Sequence, residues 1–202
     1  MAAPRHPAPL PCAGAVLAGG AGRRIGGDKA TVPVAGRPLL LHALAAVTRV
    51  ARPVAVVART DSALPPLPEG VTRVDEPDGV RHPLAGVVHA LERAGGPVLV
   101  CAADLALLDP ATLRVILVAA ALAPGAPAVV PRTGRQLQVL CALYRPAALP
   151  GLRARGEDAR AQDVVMGLGA AVVPFEDATP FFNVNTPEDV GRAEALLAAR
   201  ER

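Results

Sequence analysis

Lys29 is the only lysine among the 21 Lys and Arg residues of a 202-residue chain. It closes the stretch Leu17-Ala18-Gly19-Gly20-Ala21-Gly22-Arg23-Arg24-Ile25-Gly26-Gly27-Asp28-Lys29, which holds five glycines and three cations. Closely spaced glycines let a backbone turn sharply and bring its N–H groups close to a ligand. The adjacent cations point to an anionic one. Lysine is a compact point charge and arginine a wide planar fork, so a lone lysine on an arginine-rich background points to a need for the smaller cation at position 29. Two carboxylates stand where they could join it: Asp75 ends one apolar run and Asp104 follows another. A glycine loop, a lysine and two carboxylates could together hold a nucleotide phosphate and a magnesium ion. Magnesium takes oxygen ligands, usually one or two carboxylates plus substrate phosphates.

These residues converge only if the right elements carry them. Apolar runs predict strands over 13–18, 54–58, 71–74, 97–102, 126–130, 138–144 and 170–175. Between them, helices are expected over 38–50, 83–94, 110–123, 146–153, 158–167 and 187–199. Leu40, Ala43, Leu44 and Val47 repeat at i, i+3, i+4 and i+7, one face of a helix. Asp109-Pro110 reads as an N-cap and a first helical residue. Thr186-Pro187-Glu188-Asp189 resembles a capping box with proline at its first position. Strands alternating with helices give an α/β fold with a mostly parallel sheet and helices on both faces. The pieces at 126–130 and 138–144 read equally as a hairpin or as two separate sheet strands. In such a sheet ligands bind beyond the carboxyl ends of the strands. The glycine loop, Asp75 and Asp104 all fall there.

Composition narrows the classes. Apolar residues make up 51% and aromatics 2%, so the core is built from Ala, Val and Leu. A net charge of +3 is too small to argue for nucleic acid, and scarce aromatics argue against base stacking. No apolar run reaches membrane-spanning length. Residues 1–12 are rich in Pro and Ala without an apolar signal core and read as a loose tail. Cys12, Cys101 and Cys141 are odd in number and scattered, which fits a reducing cytoplasm better than a disulfide framework. His42, His82 and His89 have no zinc-like spacing. Arg153, Arg155 and Arg160 cluster in the second half, as a solvated face or as a dock for an anionic acceptor. The loop is not a P-loop, because Asp28-Lys29-Ala30 follows Gly27 where Gly-Lys-Ser/Thr is required. It is one residue too long for the dinucleotide fingerprint, and Arg59 stands where an acidic residue would end the second strand. An arginine there would suit NADP, so that reading stays open.

Leu17-Ala18-Gly19-Gly20, then Arg24, Gly26 and Asp28-Lys29, resemble the opening of nucleotidyltransferases with the nucleotide-diphospho-sugar transferase fold. The closest resemblance is to the molybdenum cofactor guanylyltransferase family, MobA-like, whose members typically begin Leu-Ala-Gly-Gly-x-Ser-x-Arg-Met-Gly-x-Asp-Lys. Gly36-Arg37-Pro38-Leu39 is similar to the family's Gly-x-Pro-Leu, and Pro83-Leu84-Ala85-Gly86 to its Gly-Pro-Leu-Ala-Gly. Cys101 and Asp104 resemble its cysteine and aspartate after strand four, and residues 140–145 its tyrosine segment. Asn183-Val184-Asn185-Thr186-Pro187-Glu188-Asp189 matches its C-terminal Asn-x-Asn-Thr-Pro-Glu-Asp/Glu. The resemblance covers roughly residues 13–195.

It implies a Rossmann-like three-layer sandwich, with a nucleotide half over 13–123 and an acceptor half over 124–202. It also implies transfer of GMP from GTP to the phosphate of molybdopterin cofactor, with magnesium as cofactor and pyrophosphate as product. Leu17, Ala18, Gly19 and Gly20 would face the nucleotide, and Lys29 and Arg24 would neutralise its phosphates. Asp104 would hold magnesium, with Asn185 completing the metal or acceptor side. Asp75 would bind the nucleotide, and Leu84 and Gly86 would shape the base pocket. Partners implied are GTP, the molybdopterin cofactor, and a molybdoenzyme or cofactor-insertion protein, with no nucleic acid and no membrane. Some positions depart from the family pattern: Gly22 for serine, Ile25 for methionine, Val57 for asparagine, His82 for glycine, Leu105-Ala106 for x-Pro, and Val139 for proline. None touches Lys29 or Asp104. They keep open a CTP- or sugar-phosphate-using relative, and a nucleotide-binding or cofactor-delivery module without turnover.

Overall fold

The computed structural model describes residues 8–19, 28–76 and 82–200. Its centre is an eight-stranded sheet. In chain order the strands are β1 (Ala13–Leu17), β4 (Val54–Arg59), β5 (Val71–Glu76), β6 (Val98–Ala102), β7 (Ala128–Thr133), β8 (Gln136–Leu137), β9 (Cys141–Tyr144) and β10 (Ala171–Phe175). A separate two-stranded hairpin, β2 (Pro33–Val34) with β3 (Arg37–Pro38), lies between β1 and the first helix. The main sheet runs β10-β7-β9-β6-β1-β4-β5, with β8 paired to β7. β1, β4, β5 and β6 are parallel to their neighbours in that group, and β10 is parallel to β7. β9 is antiparallel to both β6 and β7. The expected mostly parallel sheet is therefore present, with its antiparallel part in the second half of the chain.

Helices cover both faces. α1 (Leu39–Val47) and α3 (Pro110–Leu122) bury Leu40, Leu44, Leu113, Ile116 and Leu117 against one face. α2 (Ala85–Ala94), α4 (Leu149–Arg153) and α5 (Ala161–Gly167) bury Leu84, Val87, Leu91, Leu152 and Val165 against the other. Each fully buried Leu or Ile is worth about 1.5–3 kcal/mol relative to exposure, so a core nearly free of aromatics still carries the fold. α6 (Pro187–Arg200) lies apart from both layers. Its Ala193 joins Val34, Leu39, Ala106 and Val184 in a third, smaller cluster.

The run 138–144 does not form one strand. The chain pairs at Gln136–Leu137, turns through 138–140, and re-enters the sheet at Cys141. In the turn, Gln138 N–H donates to the Pro131 carbonyl and Cys141 N–H to that of Gln138, each at 2.8 Å. An apolar run announces burial but not which neighbours it has. β9 here fills the slot between β6 and β7, which a run of uniform hydropathy cannot specify.

The strand order reverses at β1, with β4 on one side and β6 on the other. Both pairings are parallel, so the carboxyl ends of these three strands open in one direction. This is the position where an open α/β sheet leaves a crevice for ligands.

Candidate active site

Leu17 and Ala102 are direct partners at the last register position of β1 and β6. Beyond them, Ala103 N–H donates to the Leu17 carbonyl at 3.0 Å, and Ala18 N–H to that of Val57 at 2.8 Å. The sheet thus ties down the start of the glycine loop on both sides and sets Asp104 next to it. Gly20, Gly22, Arg24 and Gly26 lie outside the described residues.

Lys29 re-enters the described chain in a single 3-10 turn, Lys29–Thr31. The segment before α6 arrives from the far end of the sequence. Leu105 forms a bridge with Asn183, and Val184 N–H donates to the Asp104 carbonyl at 3.0 Å. Three side chains separated by 75 and 156 residues then meet: Lys29 Nζ donates to Asp104 Oδ2 at 2.7 Å and to Asn185 Oδ1 at 2.5 Å. The Lys29 and Asp104 side chains are 16% and 19% exposed, so solvent screens this pair only partly. α6 locks the arrangement. Thr186 Oγ1 accepts from Asp189 N–H at 3.2 Å, while Asp189 Oδ2 accepts from the N–H groups of Asn185 and Thr186. The backbone donor of Asn185 holds the Asp189 carboxyl below its ordinary range, with the Thr186 donors adding to the effect.

Asp104 has a second oxygen. Oδ1 is buried and has no hydrogen-bond partner among the described residues. A buried acceptor left without a partner is costly and asks for an explanation. A divalent cation fits. The Asp104 carboxylate and the Asn185 amide supply oxygen donors only, and substrate phosphates would complete the coordination. Among the described residues no group of three or more His, Cys, Asp or Glu side chains could hold a metal without such help.

Asp75 is placed differently. It is exposed on the edge strand β5, and its Oδ1 accepts from Arg73 Nε at 2.7 Å. The neighbouring carboxylate, Glu76, lies against the loop instead. A Cβ built on Gly19 would stand 2.9 Å from Glu76 Oε2, and one on Gly86 would stand 3.6 Å from Oε1 and 3.2 Å from both Leu17 methyls. Gly19, Leu17, Gly86 and Glu76 therefore form one wall, with Leu84 fully buried beside it. Burial pushes the Glu76 carboxyl above its ordinary range, and the charges of His89 and Arg59 oppose that push. Reading the sequence passed over Glu76. Side chains alternate along a strand, and the available signal was only that one of two consecutive acids must face α2.

On the other side of Asp104 opens a cleft of about 580 Å³, lined in part by Pro83, Asp104, Gln138, Arg160, Gln162 and Asn183. The three arginines of the second half part company here. Arg153 pairs with Glu92 at 2.7 Å, and Arg155 donates to the Leu152 carbonyl. Arg160 lines the cleft, and its guanidinium has no hydrogen-bond or ion-pair partner among the described residues. Cys101 and Cys141 are buried free thiols opposite each other in β6 and β9, and Tyr144 is wholly buried with its hydroxyl donating to Val139 O. Among the described residues no helix is long and apolar enough to cross a membrane.

The chain is similar to known proteins over most of its length. Residues 14–172 match the MobA-like NTP transferase domain. A molybdenum cofactor guanylyltransferase of Rhodobacter capsulatus is 37% identical over 195 residues, spanning 92% of this chain and 96% of its own length. One from Acidiphilium cryptum is 36% identical, spanning 89% and 92%. Among solved structures, molybdopterin-guanine dinucleotide biosynthesis protein A of Archaeoglobus fulgidus superposes with a TM-score of 0.74 at 24% identity, covering 92% of this chain and 98% of that one. The 2-C-methyl-D-erythritol 4-phosphate cytidylyltransferase of Thermus thermophilus gives 0.71 at 23% identity, covering 94% and 100%. At that identity the structural matches speak for the nucleotidyltransferase fold alone.

Proposed function

The chain belongs to the MobA-like NTP transferase family, and from that premise we propose that it transfers GMP from GTP to the phosphate of molybdopterin cofactor. An oxygen of the acceptor phosphate attacks the α-phosphorus of GTP. The bond from that phosphorus to the bridging oxygen of the β-phosphate breaks, and pyrophosphate leaves. No covalent enzyme intermediate is needed, so positioning and charge stabilisation supply the catalysis.

One observation carries this reading: Lys29, Asp104 and Asn185 converge at the strand-order reversal, next to the glycine loop. Lys29 would turn from Asp104 onto the phosphates and offset the charge that builds as the α-phosphorus is attacked. Asp104, with the Asn185 amide oxygen, would hold a divalent cation, magnesium by its all-oxygen donors, which when bound neutralises phosphate oxygens. The backbone at Leu17, Ala18 and Gly19 and the wall at Leu84 and Gly86 would take the nucleoside. Arg24 and Gly20 belong to this proposal through the family motif. Asp75, paired outward with Arg73, stays in the proposal only by its place at the end of β5, and Glu76 is the carboxylate that borders the wall. The cleft beyond Asp104 would receive the acceptor, with Arg160 meeting its phosphate.

The test is pyrophosphate release from GTP in the presence of magnesium and molybdopterin cofactor. Lys29→Ala and Asp104→Ala should each lower turnover by roughly 100-fold or more, the usual scale for removing one group that stabilises transition-state charge. Release driven by CTP and not by GTP would overturn the guanylyl assignment. Full activity in both variants would overturn the site.

A further inference from the structure

His82 stands at the seam between the two sides of the site, and its ring spans it. Leu84 N–H donates to His82 Nδ1 at 3.0 Å. That nitrogen must then be unprotonated, and the ring proton sits on Nε2. Nε2–H accordingly donates to the Ala159 carbonyl, 2.9 Å away. One neutral imidazole thus uses both nitrogens, each on a backbone group, and the two groups are 75 residues apart in sequence.

What it joins matters. Leu84 is the N-cap residue of α2 and has no side-chain cap of its own, so the imidazole satisfies one of the orphan donors at that helix start. The turn it secures leads into Leu84 and Gly86, beside Leu17 and Glu76. Ala159 precedes Arg160, Ala161, Gln162 and Asp163, which line the cleft opposite Pro83. The same wall has a second tie, from Gln162 Nε2–H to the Leu137 carbonyl at 3.5 Å, a long and weak bond. Of the side-chain hydrogen bonds that link residues 159–163 to distant parts of the described chain, the one from His82 is the shorter, and it joins them directly to the nucleotide side.

We propose that His82 is a positioning residue that fixes the acceptor wall, with Arg160, relative to the nucleotide wall. The proposal rests on the guanylyltransfer reading above and adds to it what sets the distance between the two substrates. Displacing reacting groups by about 1 Å can cost 100-fold in rate even when each substrate still binds. Glycine at this position, the residue of the family pattern, supplies neither bond. Glutamine can supply both, because its carbonyl accepts and its amide donates.

Two measurements on purified chain test this. In steady-state pyrophosphate release, His82→Gly should lower kcat by about 10- to 100-fold, with the KM for GTP changed less than about threefold. His82→Gln should recover most of the loss. Without substrates, amide hydrogen exchange at Leu84 and over 159–163 should accelerate in His82→Gly and return toward the parent in His82→Gln. Unchanged exchange in His82→Gly overturns the clamp. So does unchanged kcat, or a kcat loss that glutamine fails to recover while both variants lose melting temperature equally. If the parent chain itself releases no pyrophosphate, the function reading fails, and exchange alone still decides whether His82 ties the two walls.

Discussion

At Asp104 the two carboxylate oxygens have different surroundings. Oδ2 accepts from the Lys29 ammonium, while Oδ1 is buried with no partner among the described residues. Lys29→Arg should therefore fail to restore turnover although the charge is kept, because a planar fork cannot replace a point donor shared between Asp104 and Asn185. Kinetic assay of that variant beside Lys29→Ala checks this, with both expected to be impaired. Glu76 gives a second residue-scale test, on stability. Its carboxyl is raised mainly by burial, so the folded chain keeps the proton to higher pH than the unfolded chain does. The penalty for ionising it is absent below the ordinary carboxylate range and grows as pH rises through the raised value. Glu76→Gln should melt above the parent at neutral pH, and the gap should close near about pH 4. A gap that is constant across pH would show that the carboxylate charge is not the cause. Asp75 and Glu76 also show how far residue types carry. Asp75 marked the strand end, but the strand runs on to Glu76, and the face bearing α2 decided that Glu76 borders the loop.

Among the elements, α6 does more than close the fold. Its capping residues Thr186 and Asp189 fix the backbone directly at Asn185. Thr186→Ala should cost about 1 kcal/mol, a drop of roughly 2–4 °C in melting temperature for a chain of this size. It should lower turnover further than that loss of stability explains, because Asn185 loses its support. The Asp189 contribution has the opposite sign to that of Glu76. Its depressed carboxyl stabilises the fold above the ordinary carboxylate range, and this is lost as pH falls through the lower folded value. The caps at Asp109 and Thr186 were legible because a capping pattern acts within four residues. The hairpin at 33–38 was not. Its strands are two residues each, and its turn uses positive φ at Ala35 and Gly36, 49° and 72°. α5 begins at Ala161, later than its sequence pattern suggests, and the stretch before it includes Ala159, whose carbonyl accepts from His82. Such ends are set by contacts with distant segments, which no local window contains.

For the whole molecule, one sheet carries both sides of the site. The order β9-β6-β1-β4 places the cleft-lining turn and strand next to the strands that open onto the glycine loop. Ligands that bind this folded arrangement and not the open chain should stabilise it by mass action. GTP with magnesium at about 100 times its dissociation constant should add about 2.7 kcal/mol, several degrees in melting temperature. CTP at equal concentration should shift it less, and a thermal-shift comparison of the two reads base preference without turnover. The layered α/β plan was legible because it follows from alternating strand and helix patterns. The place of β9 was not, since insertion between β6 and β7 depends on pairings over long sequence separations.

The bond from Val184 N–H to the Asp104 carbonyl also bears on how the chain is made. A ribosome delivers β1, β4, β5 and β6 by residue 102, so these parallel strands are available for pairing well before α6 is made. Asn185 emerges more than eighty residues later. A nascent chain can thus build its scaffold early while the Lys29–Asp104 pair still lacks its third member. The side-chain cluster closes only once the segment leading into α6 has been made, and a chain terminated before it would have the layered sheet without the Lys29–Asn185 bond.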